Sequence, residues 1–195
     1  MLESMKHNPR PTRAEVTDVA NAVYNGTDAI MLSGETTTGE FPVETVAAMA
    51  DIAKNIEESI IYKNIFASQE VDTPTDAIIK SVAEAANSLN AKLIVVPTIT
   101  GVSARLISNL EPKCPILALV RDEETAASLA LNYGVKTKVI NYLNNIDEIF
   151  ANALEEAKKL MDFNEGDHII ITGGFKSNET GNAPIPTNLM KIHTI

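Results

Sequence analysis

Apolar residues fall along this chain in two alternating arrangements: short continuous runs of about five, and stripes spaced three and four apart. The first stripe opens on a start signal. Thr12 and Glu15 have capping-box spacing, and the helix they begin carries Val16, Val19, Ala20 and Val23 on one face before Asn25-Gly26 ends it. The apolar run Asp28 to Leu32 then suits one buried parallel strand, and the Gly-containing turn Ser33 to Glu40 follows directly. Pro42 fits the first turn of a long helix whose predicted inward positions are Val43, Val46, Ala50, Ala53 and Ile56 or Glu57, drifting towards Ile60 and Ile61.

A polar stretch from Asn64 to Thr73 separates this helix–strand–helix from a second series, which places a domain boundary near Ser68 and divides the chain into 1–67 and 68–195. Thr73-Pro74-Thr75-Asp76 opens a helix with Ile78, Val82, Ala85 or Ala86, and Leu89 inward. Strand and helix then alternate: strand Lys92 to Pro97, helix Val102 to Leu110, strand Pro115 to Val120, a helix capped by Asp122 and stopped before Gly134, strand Val135 to Ile140, and a helix capped by Asn145 with Glu148. The stripe of that last helix is Ile149, Ala153, Ala157 and Leu160. Strands Asp167 to Thr172 and Leu189 to Thr194 close the chain around a long loop, Gly173 to Asn188. In the final strand Met190, Ile192 and Thr194 alternate with Lys191 and His193, predicting one buried and one wet face at a sheet edge. The fold class is α/β: a three-layer α/β/α domain with a mostly parallel five-stranded sheet, its last strand antiparallel. Ligands in such folds sit beyond the carboxyl ends of the strands.

Composition narrows the functions open to this architecture. A formal net charge of −10 over 195 residues argues against a nucleic-acid groove or an anionic membrane surface, and no run of membrane-helix length occurs. The single Cys114 leaves no partner for an intrachain disulfide, and no Cys/His spacing suggests zinc. With no signal-peptide pattern at the start, the expected compartment is the cytoplasm. An anionic ligand on so acidic a chain needs a local positive site, which backbone amides can supply.

Four features have residues suited to such chemistry, and each has an ordinary structural alternative. Ser33-Gly34-Glu35-Thr36 ends a predicted strand where a barrel enzyme presents polar groups, or is merely a capped turn. The loop Thr98, Ile99, Thr100, Gly101, Val102, Ser103 brings hydroxyls and amides to a strand end where a phosphate oxygen needs donors; alternatively Thr98 or Thr100 only caps the next helix. In the long loop, Lys176 is positioned to swing onto a bound phosphate, or belongs to a surface loop without a ligand. His7, His168 and His193 have no companions at triad or metal spacing and read as structural. No nucleophile–base pair, Walker loop or GxGxxG motif is present, so the residues alone supply no catalytic mechanism.

Longer motifs do carry a resemblance. Met1 to Met5, Asn8 to Val16, Asp18 to Val23 and Ile30 to Thr36 closely resemble the end of the pyruvate kinase barrel. Thr98 to Arg105, Gly166-Asp167 and Thr187 to Ile192 are similar to that family's C-terminal domain. The resemblance implies that 1–67 is the C-terminal end of a (β/α)8 barrel and 68–195 an effector domain. It also implies a cytoplasmic homotetrameric glycolytic enzyme that transfers phosphoryl from phosphoenolpyruvate to ADP with Mg²⁺ or Mn²⁺ and K⁺. The family's catalytic lysine, metal-binding carboxylates, active-site threonine and lid domain belong to sequence that precedes the part matched here. The 195 residues alone are therefore expected to be catalytically incomplete, with Ser33 and Glu35 at the active-site face.

By the same resemblance the loop Thr98 to Ser103 holds a phosphate of an effector: fructose 1,6-bisphosphate, ribose 5-phosphate or AMP. Several positions depart from the family pattern. Thr38 stands where many relatives have Lys, Ile149 and Tyr142 stand where animal-type relatives grip a second phosphate with Arg and Trp, and Pro184 and Pro186 lengthen the effector loop. Three readings remain: an enzyme part with an effector domain, a stand-alone phosphate sensor, or an assembly element. An isolated helix–strand–helix with both strand edges open is expected to self-associate, swap or disorder over 1–63.

Overall fold

The computed structural model describes residues 1–59, 71–141, 145–174 and 186–195. Lys176 and Tyr142 lie outside the described residues. The chain divides into two compact units, Met1–Ile61 and Tyr62–Ile195, and the two are built by different rules.

The first unit begins with a short 3₁₀ turn, Glu3–Lys6, followed by α1 (Arg13–Tyr24), the single turn α2 (Gly34–Thr37) and α3 (Pro42–Ser59). The Thr12–Glu15 capping box forms as the spacing predicts. Glu15 does more than cap: its carboxylate also accepts from Ser4 N at 2.7 Å and Ser4 Oγ at 2.5 Å, tying the 3₁₀ turn to the start of α1. α1 ends in a Schellman arrangement in which Gly26, at φ 78°, donates to Val23 O and Thr27 donates to Ala22 O.

The sequence reading errs at two places here. Residues 29–32 form no strand, because a strand exists only through a ladder and these residues find no neighbour among those described. Met31 is accordingly 74% exposed. On α3 the inward stripe is Thr45 and Met49, flanked by the partly buried Ala48 and Ile52, and not the predicted Val43, Val46 and Ala50. Those alternatives lie about one position apart on the helix, and the small core of Leu2, Met5, Val19 and Met49 selects between them. Val43 and Val46 are left 76% and 52% exposed.

The second unit has the predicted sheet. Its elements are α4 (Pro74–Ser88), β1 (Leu93–Pro97), α5 (Val102–Ser108), β2 (Ile116–Val120), α6 (Glu123–Ser128), β3 (Val135–Val139), α7 (Ile146–Leu160), β4 (His168–Gly173) and β5 (Leu189–Thr194). The strand order is β3-β2-β1-β4-β5, parallel throughout except that β5 runs antiparallel to β4. Because side chains alternate across a strand, β1 sends Ile94 and Val96 to one face and Leu93 and Val95 to the other. The first face packs on Ile79, Val82 and Ala86 of α4 and Ala104 and Ile107 of α5; the second packs on Phe150, Ala153 and Ala157 of α7. Both faces of the central strands are therefore covered, which explains their unbroken apolar runs.

Smaller differences follow from packing. Ile79 and Ala83, not Ile78 and Leu89, turn fully inward on α4, and Phe150 replaces Ile149 as the leading core residue of α7. α6 stops at Ser128 rather than continuing to Gly134, since turn bonds Leu129 N to Ala126 O and Asn132 N to Leu129 O carry the chain to Gly134, whose carbonyl accepts from Ile116 N. The clean alternation predicted for β5 fails: Ile192 is 45% exposed at the open edge, while Lys191 Nζ covers the Phe150 ring at 4.5 Å from its centroid. No helix among the described residues is long and apolar enough to cross a membrane.

Candidate phosphate-binding turn and its closed counterpart

β1 is the central strand of the sheet, and its carboxyl end leads into the turn Thr98–Gly101 and then α5. Parallel pairing holds the entry: Thr98 N donates to Leu119 O of β2 at 2.9 Å. Thr98 Oγ1 then accepts from Gly101 N at 3.1 Å, so this hydroxyl braces the turn instead of capping the helix. Gly101 is the N-cap residue, at φ 78°, and no side chain caps α5. The positive φ favours glycine, and a Cβ at Gly101 would also stand 3.2 Å from Leu129 Cδ2, a tight contact that the Leu129 side chain would have to yield to.

The remaining donors are unengaged. Among the described residues the amides of Ile99, Thr100, Val102, Ser103 and Ala104 have no acceptor, and Thr100 Oγ1 has no partner. Ile99, Thr100 and Val102 are exposed and Ser103 is half-buried, whereas Ala104 is buried. Ser103 Oγ meets Thr187 Oγ1 at 2.5 Å, and Thr187 is buried. Sequence reasoning missed Thr187 as part of this corner. No local spacing signals it, because the contact spans 84 positions and exists only once β5 pairs beside β4.

The turn at Ser33 in the other unit also joins an apolar run to a helix but has a different hydrogen-bond pattern. Ser33 is the exposed N-cap of α2 and makes no side-chain capping bond. Glu35 is only 2% exposed, and its carboxylate accepts from Ser33 N at 2.9 Å, Leu2 N at 3.1 Å and the Met1 nitrogen at 3.0 Å. Donation from its own amide and that of Ser33 outweighs desolvation and holds the Glu35 carboxyl down to about 2 from the ordinary 4.5. Lys6, another residue passed over in the sequence, lies across Gly34: a Cβ there would stand 2.3 Å from Lys6 Cε. Among the described residues no three His, Cys, Asp or Glu side chains are grouped to hold a metal ion. With Glu35 taken up by backbone donors, the residues described do not fit a divalent-cation site.

Comparison with known proteins decides the ancestry of both turns. Residues 76–193 match the family described as pyruvate kinase, alpha/beta domain, and residues 1–46 match pyruvate kinase, barrel domain. The chain belongs to the pyruvate kinase family. Pyruvate kinase of Geobacillus stearothermophilus is 43% identical over the whole of this chain, and that of Clostridium perfringens is 42% identical. The chain spans 33% and 41% of the length of those two relatives. Among solved structures, a pyruvate kinase from Cryptosporidium parvum superposes with a TM-score of 0.84 at 39% identity, covering 99% of this chain and 38% of that one. A structure of Cryptosporidium parvum pyruvate kinase in complex with ADP superposes with a TM-score of 0.82, also at 39% identity.

Proposed function

We propose that this chain supplies two parts of a pyruvate kinase, 1–67 as the C-terminal end of its barrel and 68–195 as an α/β effector domain. The whole enzyme transfers phosphoryl from phosphoenolpyruvate to ADP, with Mg²⁺ or Mn²⁺ and K⁺ bound by residues outside those described here. It works as a homotetramer in the cytoplasm. Likeness to a relative solved with ADP supports a nucleotide substrate for that whole enzyme. Ser33 and Glu35 stand at the active-site face, Ser33 with its hydroxyl towards solvent and Glu35 as the brace beneath it. The 195 residues alone carry no turnover, since phosphoryl transfer needs the metal and the positioned cations.

The regulatory part of this reading rests on one observation, the set of unengaged amides at residues 99, 100 and 102–104 beside the hydroxyls of Thr98, Thr100 and Ser103. A phosphate oxygen accepts from several converging donors, and such donors bind an anion despite a net charge of −10 on the chain. The turn Thr98 to Ser103, with Lys176 joining from the long loop, holds a phosphate of fructose 1,6-bisphosphate, ribose 5-phosphate or AMP. Isothermal titration of the three ligands into the chain and into Thr98→Ala, Thr100→Ala and Ser103→Ala variants tests this. Heat with one ligand, reduced in each variant, is expected. No heat with any of them overturns the effector reading.

A second reading is favoured by the apolar residues 29–32, which join no ladder among the described residues, and by the exposure of Met31 and Val43. In it the first unit associates with further copies of the chain, which sedimentation across a concentration series reveals as a rise in mass.

A further inference from the structure

Thr187 and Ser103 are 84 positions apart in the sequence, yet their hydroxyl oxygens stand 2.5 Å apart. Each hydroxyl has one proton to donate. At that separation one proton lies between the oxygens, and the other hydroxyl must direct its proton elsewhere. Thr187 is 2% exposed, and among the described residues Ser103 is the one partner of its hydroxyl. A buried donor without an acceptor is costly, whereas the half-buried Ser103 has access to solvent and to the mouth of the turn. The favoured order therefore runs from Thr187 O–H to Ser103 Oγ, with the Ser103 proton directed outwards.

Main-chain bonds hold Thr187 in place independently of its hydroxyl. Its carbonyl accepts from Thr75 Oγ1 at 3.3 Å at the start of α4. Next to it, Asn188 N donates to Gly173 O at 3.1 Å, and Thr172 Oγ1 donates to Leu189 O at 2.7 Å. The hydroxyl is thus presented from a fixed backbone. We infer that Thr187 is a positioning residue for a phosphate group at the Thr98–Ser103 turn: without touching the ligand, it donates to Ser103 Oγ, fixes that side chain and turns its O–H towards the anion. An anion accepting from Ser103 polarises the chain of hydroxyls and strengthens both bonds, so occupancy of the turn also firms the start of β5.

This inference rests on the phosphate reading above, and the experiment separates the two. Inorganic phosphate and fructose 1,6-bisphosphate are titrated into the full 195-residue chain, into T187V, which keeps shape and removes the donor, and into T187S, which keeps the donor and loses a methyl. T187V is expected to weaken binding about five- to tenfold, T187S to remain within about twofold of the parent, and T187V to add less than about twofold on top of S103A. If T187V does not fold, T187C, with its far weaker donor, is expected to weaken binding about threefold, and parity with the parent overturns the inference. Loss of affinity in S103A with none in T187V removes the role of Thr187 and leaves the phosphate reading standing. Equal losses in T187S and T187V show packing instead of donation. A parent chain that takes up neither probe removes both readings.

Discussion

The turns at Ser33 and Thr98 have a common form: an apolar run, small polar residues with a glycine, then a helix. They differ in what meets their amides. In the first, Glu35 occupies the second position of α2 and accepts from the Ser33 and Leu2 amides and from the Met1 nitrogen. In the second, Ser103 occupies the corresponding position of α5, and a short hydroxyl leaves the neighbouring amides without an acceptor. The Glu35 carboxylate thus engages amides in one turn, while no carboxylate stands at the corresponding position of the other. A strand–turn–helix pattern is too coarse to foretell binding, because the same amides serve either purpose according to the side chain beside them.

The comparison is broken most forcefully at Glu35. Replacement by Ala leaves buried donors unsatisfied, and a loss of about 3 kcal/mol is expected, read from the urea midpoint and from hydrogen exchange of residues 1–59. Acid makes the same point without a mutation. Glu35 and Glu15 are each held down to about 2 from 4.5, Glu35 chiefly by its own and Ser33's amides; for Glu15, desolvation pushes the carboxyl up but the Ser4 and Thr12 donors together outweigh it. The folded state then binds fewer protons than the unfolded one between these values. The contribution is full above about 4.5 and drains away as pH falls towards about 2. In E35Q that slope should flatten across the window, and an unchanged slope would contradict the assignment.

Closing the open turn is the next test. Ser103→Glu sets a carboxylate at the position that Glu35 holds in the other unit, and phosphate affinity should fall by at least about a hundredfold through competition for the amides and like-charge repulsion, measured by titration. Gly101→Ala should cost about 1–2 kcal/mol in thermal unfolding, because φ is 78° and Leu129 lies close. Gly166→Ala, at φ 87° but with open space around it, should cost less. The smallest effect is expected at His7. Its bond to Glu40 joins two largely exposed side chains, and His7→Ala should leave the unfolding midpoint unchanged.

Local signals in the sequence were enough for most elements of the second unit. The helix start at Thr73–Asp76 and the Asp122 cap stand where read, and the runs 93–97, 116–120 and 168–173 are strands because an apolar run of that length suits a strand covered on both faces. The Thr98–Ser103 loop was legible as a candidate for the same reason, its hydroxyls and glycine being contiguous. Residues 29–32 were not legible as unpaired, since they look like a strand and only their surroundings withhold a ladder. The α3 stripe differs from the one read because the face of Val43, Val46 and Ala50 and that of Thr45 and Met49 lie about a third of a turn apart, and packing with Leu2 and Met5 selects the second. Which residues cap, turn and alternate is written in neighbours along the chain. Whether an amide is engaged or free, and that Thr187 meets Ser103, depends on groups brought together across the fold, and only the tertiary structure decides it.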